Sequence, residues 1–484
     1  MSTSVGRIRG ELGRRTQRVV YGEQSLASLR DELSLMMTVD RAHVVMLAEC
    51  GLIGADAARA LLRCLADLSA KGLAPLEGRP APRGSFLMYE GYLIERLGAD
   101  IGGVLHTGRS RNDLKATVGS LRVRRWLLEF AEQATRLEAI LLARARAYRS
   151  VIMPVYTHFQ AAMPVGYGYY LLGVAHAAGR EIDALVAAAG GLGTCPLGAG
   201  AVAGTDLPIN PARTAELLGF PHTTTHALDA VASRDVLLRL LGAAAGLCVT
   251  LSRLATDLQL WSTAEFGFVE LPDRLVGGSS AMPQKRNAFL FEHLKAKPGK
   301  ALGAWAAAAA TMADTPFTNS IEVGSEGVER IWPGLSAADE AVLLGQVLVG
   351  GARPVRDRMA HRAETGFTVA TTVANRLVRN GVPFRTAHHQ VGEAVRQAVE
   401  AGSTELTAFG PSSWRDELEL DKLDPSELVR SLAYGGGPGA FAGAYAQAYT
   451  VWLGHCRWRR DWLVSLAAAE AELARAVDAL VDAP

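Results

Sequence analysis

An all-α fold is predicted by the composition of the chain and by three long helical stretches. The 484 residues are 49% apolar but only 7% aromatic, and the apolar share is mostly Ala, Leu and Val. That mixture favours helices packed closely on small residues over sheet. Residues 233–261 read as one nearly continuous helix, roughly 40 Å long at about 1.5 Å per residue. Its apolar residues run round more than one face, so both sides need cover, which a bundle shared between subunits would supply. Residues 113–148 form a second, amphipathic stretch. Residues 287–312 form a third, kinked or interrupted at Pro298.

The shorter elements follow the same periodicity. Helical spacing recurs at 42–47, 57–68 and 89–97, with a Pro-, Gly- and Arg-rich loop over 75–84. Residues 156–160 follow Met153 and Pro154 and read as a turn or helix start. Residues 163–188 read as a helix, and 458–480 as a terminal one.

Bulk properties narrow the function. A net charge of +1 gives no electrostatic case for nucleic acid or an anionic membrane. The apolar run 236–252 carries Arg239 and precedes Arg253 and Asp257, so it reads as a buried helix and not a membrane span. The five cysteines are scattered with no CxxC pair, as expected of free thiols in the reducing cytoplasm and not of a zinc site. Adjacent His388 and His389 do not face one another on a helix, so no metal site is read there. The first twenty residues are Arg-rich without an apolar core, unlike a secretory signal, and Glu11 and Glu23 argue against an organellar presequence.

The chemistry concentrates in Gly277-Gly278-Ser279-Ser280-Ala281-Met282-Pro283-Gln284-Lys285-Arg286-Asn287. Two glycines and two serines make it a mobile loop. In an extended segment Lys285 and Asn287 point the same way. A flexible hydroxyl facing an ammonium and an amide suits proton abstraction beside a carboxylate, with the cation and amide stabilising the charge that develops. Residue types alone also fit a plain surface turn. A second polar run, His106-Thr107-Gly108-Arg109-Ser110-Arg111-Asn112-Asp113, suits anion capture at a helix start, with Asn112 or Asp113 as the cap. The Gly-rich segment 195–201 lacks both the P-loop lysine and the GxGxxG spacing, which argues against a nucleotide.

These motifs carry a resemblance. The loop resembles the GSSxMPxKxNP signature of the fumarase/aspartase superfamily, with Ala288 in place of the final proline. The run HTGRSRND matches the motif of the argininosuccinate lyase and δ-crystallin branch at every position. Residues 156–160 resemble its YTHLQ motif with Phe159 for leucine, and 195–201 its PLGSGALAG segment. The resemblance implies a three-domain, fumarase/aspartase-like helical fold. An N-terminal helical domain would span 1–108, a central long-helix bundle with the signature loop 109–352, and a small C-terminal domain 353–484. It implies a homotetramer with active sites shared between subunits, acting on a small dicarboxylate without metal or organic cofactor. It implies catalytic roles for Ser279, His158, Lys285, Asn287 and Glu292, the last backing His158. Thr157, Gln160, Arg111, Asn112 and Ser280 would grip the substrate carboxylates. Whether Ser279 or His158 is the base stays open.

The likeness thins in three places. No counterpart of the family's N-terminal substrate-contacting serine precedes residue 42, and Arg83-Gly84-Ser85-Phe86 stands where an acidic segment is expected. Asn319, Gly324 and Gly327 replace a tyrosine, a glutamine and a lysine that contact argininosuccinate in the family. The expected activity is therefore release of fumarate from an N-succinyl amine other than argininosuccinate. The alternatives are a true argininosuccinate lyase and a catalytically silent, crystallin-like structural protein.

Overall fold

The computed structural model describes residues 12–22, 25–81, 83–419 and 423–482. Glu11 and Glu23 lie outside them. The chain is overwhelmingly helical, and the strands among the described residues form three two-stranded pairs.

Five helices build the central bundle: α1 (Arg111–Ala147), α2 (Tyr167–Ala189), α3 (Asp235–Trp261), α4 (Lys297–Met312) and α5 (Gly327–Gly351). Helix α3 packs against α2, α4 and α5, while α1 packs against α2 and α5. The predicted reliance on small residues is visible in the contacts. A Cβ on Gly334 of α5 would come within 2.7 Å of Ala304 and 2.8 Å of Leu241, so only glycine lets these helices approach. Helix α3 is long and apolar enough to cross a membrane, but Leu240, Leu241, Leu247, Leu251 and Leu258 are buried in the bundle core. The predicted interruption before α4 falls at Ala296, between a short helix (Phe289–Lys295) and α4. Pro298 sits in the first turn of α4, where its missing N–H costs nothing, but its ring bars a continuous helix.

Two expectations are corrected. Residues 156–160 hold the turn, at His158 and Phe159, but no helix starts there, and the helix over 163–188 begins only at Tyr167. Instead β1 (Ile152–Thr157) and β2 (Gln160–Gly166) form an antiparallel hairpin in which Pro154 pairs opposite Pro164. A proline on each arm excludes helix and confines both arms to an isolated ribbon.

The terminal helix α6 (Pro438–Asp482) is 45 residues long, starting twenty residues before the expected 458. It runs along α1 and α2 and then reaches the N-terminal helices Leu26–Glu49 and Ala55–Ala70. Leu473 is buried beside Met36, Val39 and Leu114. Residues 373–428 hold a separate small core around Val373, Leu377, Val391 and Trp414.

Helix α6 is fastened to the bundle by a buried histidine. His455 Nδ1 lies 2.9 Å from Glu138 Oε2 of α1, and its Nε2 lies 3.0 Å from Asp183 Oδ1 of α2. Burial disfavours the imidazolium, but the two carboxylates outweigh it and the His455 pKa is raised. Glu138 is also raised, first by burial and against the pull of His455. Both groups hold protons to higher pH in the folded than in the unfolded chain. The histidine's contribution to stability is complete below its unfolded value of about 6.5 and is lost as pH rises through the folded one. The thermal midpoint is expected to fall from pH 6 to pH 9 more steeply in the native chain than in His455→Gln. Equal slopes in a calorimetric pH series would refute the linkage.

Candidate active site

The signature loop is pinched at its base. Gly277 and Asn287 exchange backbone hydrogen bonds of 2.9 and 2.8 Å, an isolated antiparallel bridge. Arg286 anchors the returning arm on Asp273 (2.6 Å) and on the Leu271 carbonyl (2.8 Å). Inside the loop Ser279 Oγ accepts N–H groups from Met282 (3.0 Å) and Ala281 (3.3 Å). Two donors aimed at one hydroxyl oxygen favour its deprotonated form. Asn287 Nδ2 donates to the Gly278 carbonyl at 3.3 Å. Ser280 and Lys285 are exposed, and Ser279 and Asn287 are half-buried.

The second cluster sits at the start of α1. Ser110 is the cap of this helix, in a capping box with Asp113, so neither Asn112 nor Asp113 holds the cap position that the sequence suggested. Asp113 is fully buried and has a further task. Its Oδ2 accepts N–H groups from Gly198 (3.1 Å) and Gly200 (2.9 Å). Asn112 Nδ2 donates to Ala201 O at 3.2 Å. The two sequence motifs at 106–113 and 195–201 are thereby one structure. Gly200 has a positive φ and its missing Cβ would meet the Gly204 carbonyl at 2.6 Å, so glycine is obligatory there. Exposed Arg111 opens on a cavity of about 180 Å³ whose walls include Glu32, Lys115, Arg122, Gly324 and Glu329. Burial raises the Glu32 pKa, with Lys115 and Arg122 opposing. Glu32 and Lys115 were not singled out from sequence, because helical charged residues resemble any solvated face.

The third cluster is the hairpin tip. Thr157 pairs with Gln160 across a two-residue turn, and His158 and Phe159 both take left-handed φ, 50° and 60°. Such turns normally carry Asn-Gly. Two bulky residues in this region cost about 1–3 kcal/mol each, the kind of strain found at functional sites. Thr157, His158, Phe159 and Gln160 are all exposed. Glu292 does not pair with His158 within one chain. It lies on the helix Phe289–Lys295 and accepts a hydrogen bond from Gln259 at 3.2 Å. Among the described residues no hydrogen bond or ion pair joins the three clusters to one another.

A family model described as lyase matches residues 48–303, and one described as argininosuccinate lyase C-terminal matches residues 367–429. The argininosuccinate lyase of Methanoculleus marisnigri is 37% identical over 413 residues, covering 83% of each chain. The chain belongs to the argininosuccinate lyase family. Argininosuccinate lyase 1 of Shouchella clausii is 33% identical over 88% of this chain and 83% of its own. Among solved structures, EDDS lyase in complex with formate is 26% identical with a TM-score of 0.85, covering 99% of this chain and 97% of that one. A class II fumarase from Schistosoma mansoni, 15% identical with a TM-score of 0.70, shares the fold over 82% of this chain and 90% of its own. As a member of this family the chain is a carbon–nitrogen lyase that releases fumarate from a small dicarboxylate.

Proposed function

We propose that this lyase splits an N-succinyl amine other than argininosuccinate into fumarate and a free amine, or joins the two in reverse. The observation that carries the restriction is the packing around Gly327. A Cβ there would lie 2.7 Å from Met312 Cγ, 2.8 Å from Met312 Cε and 2.9 Å from the Glu322 carbonyl oxygen. The lysine that the family places at this position has no room on this backbone. Gly324 differs: a Cβ would meet only Asn319 Oδ1, at 3.3 Å, so the missing glutamine leaves open space in the cavity beside Arg111. Gly324 lies within, and Gly327 directly follows, the π-helical turn Glu322–Glu326 that leads into α5.

In the mechanism, Ser279 Oγ takes the proton from the carbon next to a substrate carboxylate. Its two backbone donors stabilise the alkoxide that does so. Lys285 and Asn287 then stabilise the extra charge on that carboxylate. The electron pair forms the carbon–carbon double bond as the C–N bond breaks, and His158 supplies a proton to the leaving amine. Thr157, Gln160, Arg111, Asn112 and Ser280 hold the carboxylates. The exposed hairpin tip supports a site completed by other copies of the chain, with His158 reaching the partner subunit's Glu292. Val249, Leu302, Trp305, Leu343 and Val347 remain exposed on α3, α4 and α5, an apolar surface suited to a shared homotetrameric bundle.

The test follows fumarate absorbance. Losing one charged hydrogen bond costs about 1.5–3 kcal/mol, so argininosuccinate should be cleaved roughly ten- to a hundred-fold less efficiently than by the relatives. Fumarate should be consumed with some other amine in a panel. A family-normal rate on argininosuccinate would overturn the restriction, and silence with every compound would favour the structural-protein alternative.

A further inference from the structure

Away from these three clusters the chain encloses a cavity of about 520 Å³. It lies where the end of α1, the root of β1 and the first turns of α6 meet the short helix Pro425–Ser431. Tyr169, Phe441 and Tyr445 give it an aromatic wall, and Arg146, Arg149 and Arg430 stand round it. None of its described lining residues is acidic. Among the described residues the Arg146 side chain makes no hydrogen bond or ion pair. Arg149 donates only to the Arg146 carbonyl, at 3.3 Å, and Arg430 comes no nearer than 4.0 Å to Glu427. The Tyr169 hydroxyl also has no hydrogen-bond partner among the described residues. Pro438, which opens α6, lines the same cavity, so the positive end of a 45-residue helix adds to the field.

Apolar volume of this size with a few unspent donors is the anatomy of a small-molecule site. Three neighbouring guanidinium groups repel one another unless an anion sits between them. Fumarate and related dicarboxylates satisfy the charge but not the aromatic wall. We propose that this cavity binds an aromatic carboxylate, its ring against Phe441 and Tyr445 and its anionic end on Arg146, Arg149 and Arg430. Ile152 belongs both to the cavity and to β1, whose other end is Thr157 beside His158. An occupant therefore touches the root of the hairpin that carries the catalytic histidine, a position suited to an effector.

The experiment titrates the full-length protein with the fluorescent anion 1-anilinonaphthalene-8-sulfonate and displaces it with 1-naphthoate or with neutral 1-naphthalenemethanol. The expected result is saturable binding displaced by the acid at least tenfold more readily than by the alcohol. Arg146→Glu combined with Arg430→Glu should weaken binding of the probe tenfold or more, and Arg385→Glu, on a different surface, should not. Circular dichroism of the double variant checks that it is folded. Should it unfold, Arg146→Gln alone takes its place, with a three-fold or greater loss expected. No binding by the native protein, as when another copy covers the cavity, overturns the proposal. So does equal displacement by the alcohol, or binding that survives the substitutions.

Discussion

Ser279→Ala is expected to lower turnover by roughly 10²–10⁴-fold, the range for loss of a positioned general base. The fold should be untouched. The serine is half-buried, in a loop otherwise open to solvent, and water can replace its oxygen as acceptor for the Met282 and Ala281 N–H groups. Its removal should change stability by no more than about 0.5 kcal/mol. The pairing of a large kinetic loss with an unchanged melting curve separates a chemical role from a scaffold role. Fumarate release and a thermal scan on one preparation give both numbers. Turnover within a few-fold of the native enzyme would sink Ser279 as the base and move the role to His158. Lys285→Ala provides a second view of the same step. It should depress the rate while leaving the Gly277–Asn287 bridge intact, because that bridge is made by backbone alone.

The second large effect is on stability. Arg109→Ala is expected to cost about 3–5 kcal/mol, the penalty for leaving one member of a buried ion pair alone. The Arg109 and Asp40 side chains are both fully enclosed, with Nη1 and Oδ1 2.6 Å apart. The contact is ionic in distance but its angle falls short of a hydrogen bond, so the pair is held by charge, with Asp40 the adjacent counter-charge. Tyr89 donates its hydroxyl to the other Asp40 oxygen at 2.6 Å. In the native chain no neighbouring histidine shares this role. Burial first, and then the charge of Arg109, holds His43 well below its usual value and His106 down to about 4, so both are neutral at pH 7. Without Arg109, Asp40 would be a fully buried carboxylate stripped of its adjacent cation. The double variant Arg109→Met with Asp40→Leu should recover most of the loss. Denaturant melts of the three chains decide the matter: a single variant as stable as the native chain would show that water reaches this site. Because Arg109 lies two residues before Arg111, the variant should also raise KM for the dicarboxylate.

How much of this was legible in the sequence depends on the range of the cause. The long helices announced themselves because apolar spacing is local, and residues 233–261 needed a two-residue trim to become Asp235–Trp261. The hairpin did not. Its turn carries His158-Phe159 where glycine or asparagine would be the usual signal, and the strain that permits this is visible only in the φ angles. The motif strings pointed to Ser279, Lys285, Asn112 and His158, yet not to what fixes them. That Asp113 ties α1 to Gly198 and Gly200 is a contact between segments 85 and 87 residues apart. Gly324 and Gly327 read alike as lost side chains. Their surroundings separate them, since one leaves space and the other is forced by Met312.

The route of α6 has a consequence for how the protein is made. Leu473 completes a core that begins with Met36 and Val39, and Arg213 binds both Glu49 and Glu472. During synthesis at ~5–20 residues per second, the N-terminal helices leave the ribosome tens of seconds before their partner does. Until then the core around Met36, Val39 and Val45, which Leu114, Val118 and Leu197 also line, lacks the side that Leu473 closes. The newborn chain therefore passes through a long interval in which the seat of α6 on this core is uncovered. During that interval a chaperone, or the wrong neighbour on a crowded polysome, competes for the place that α6 finally takes.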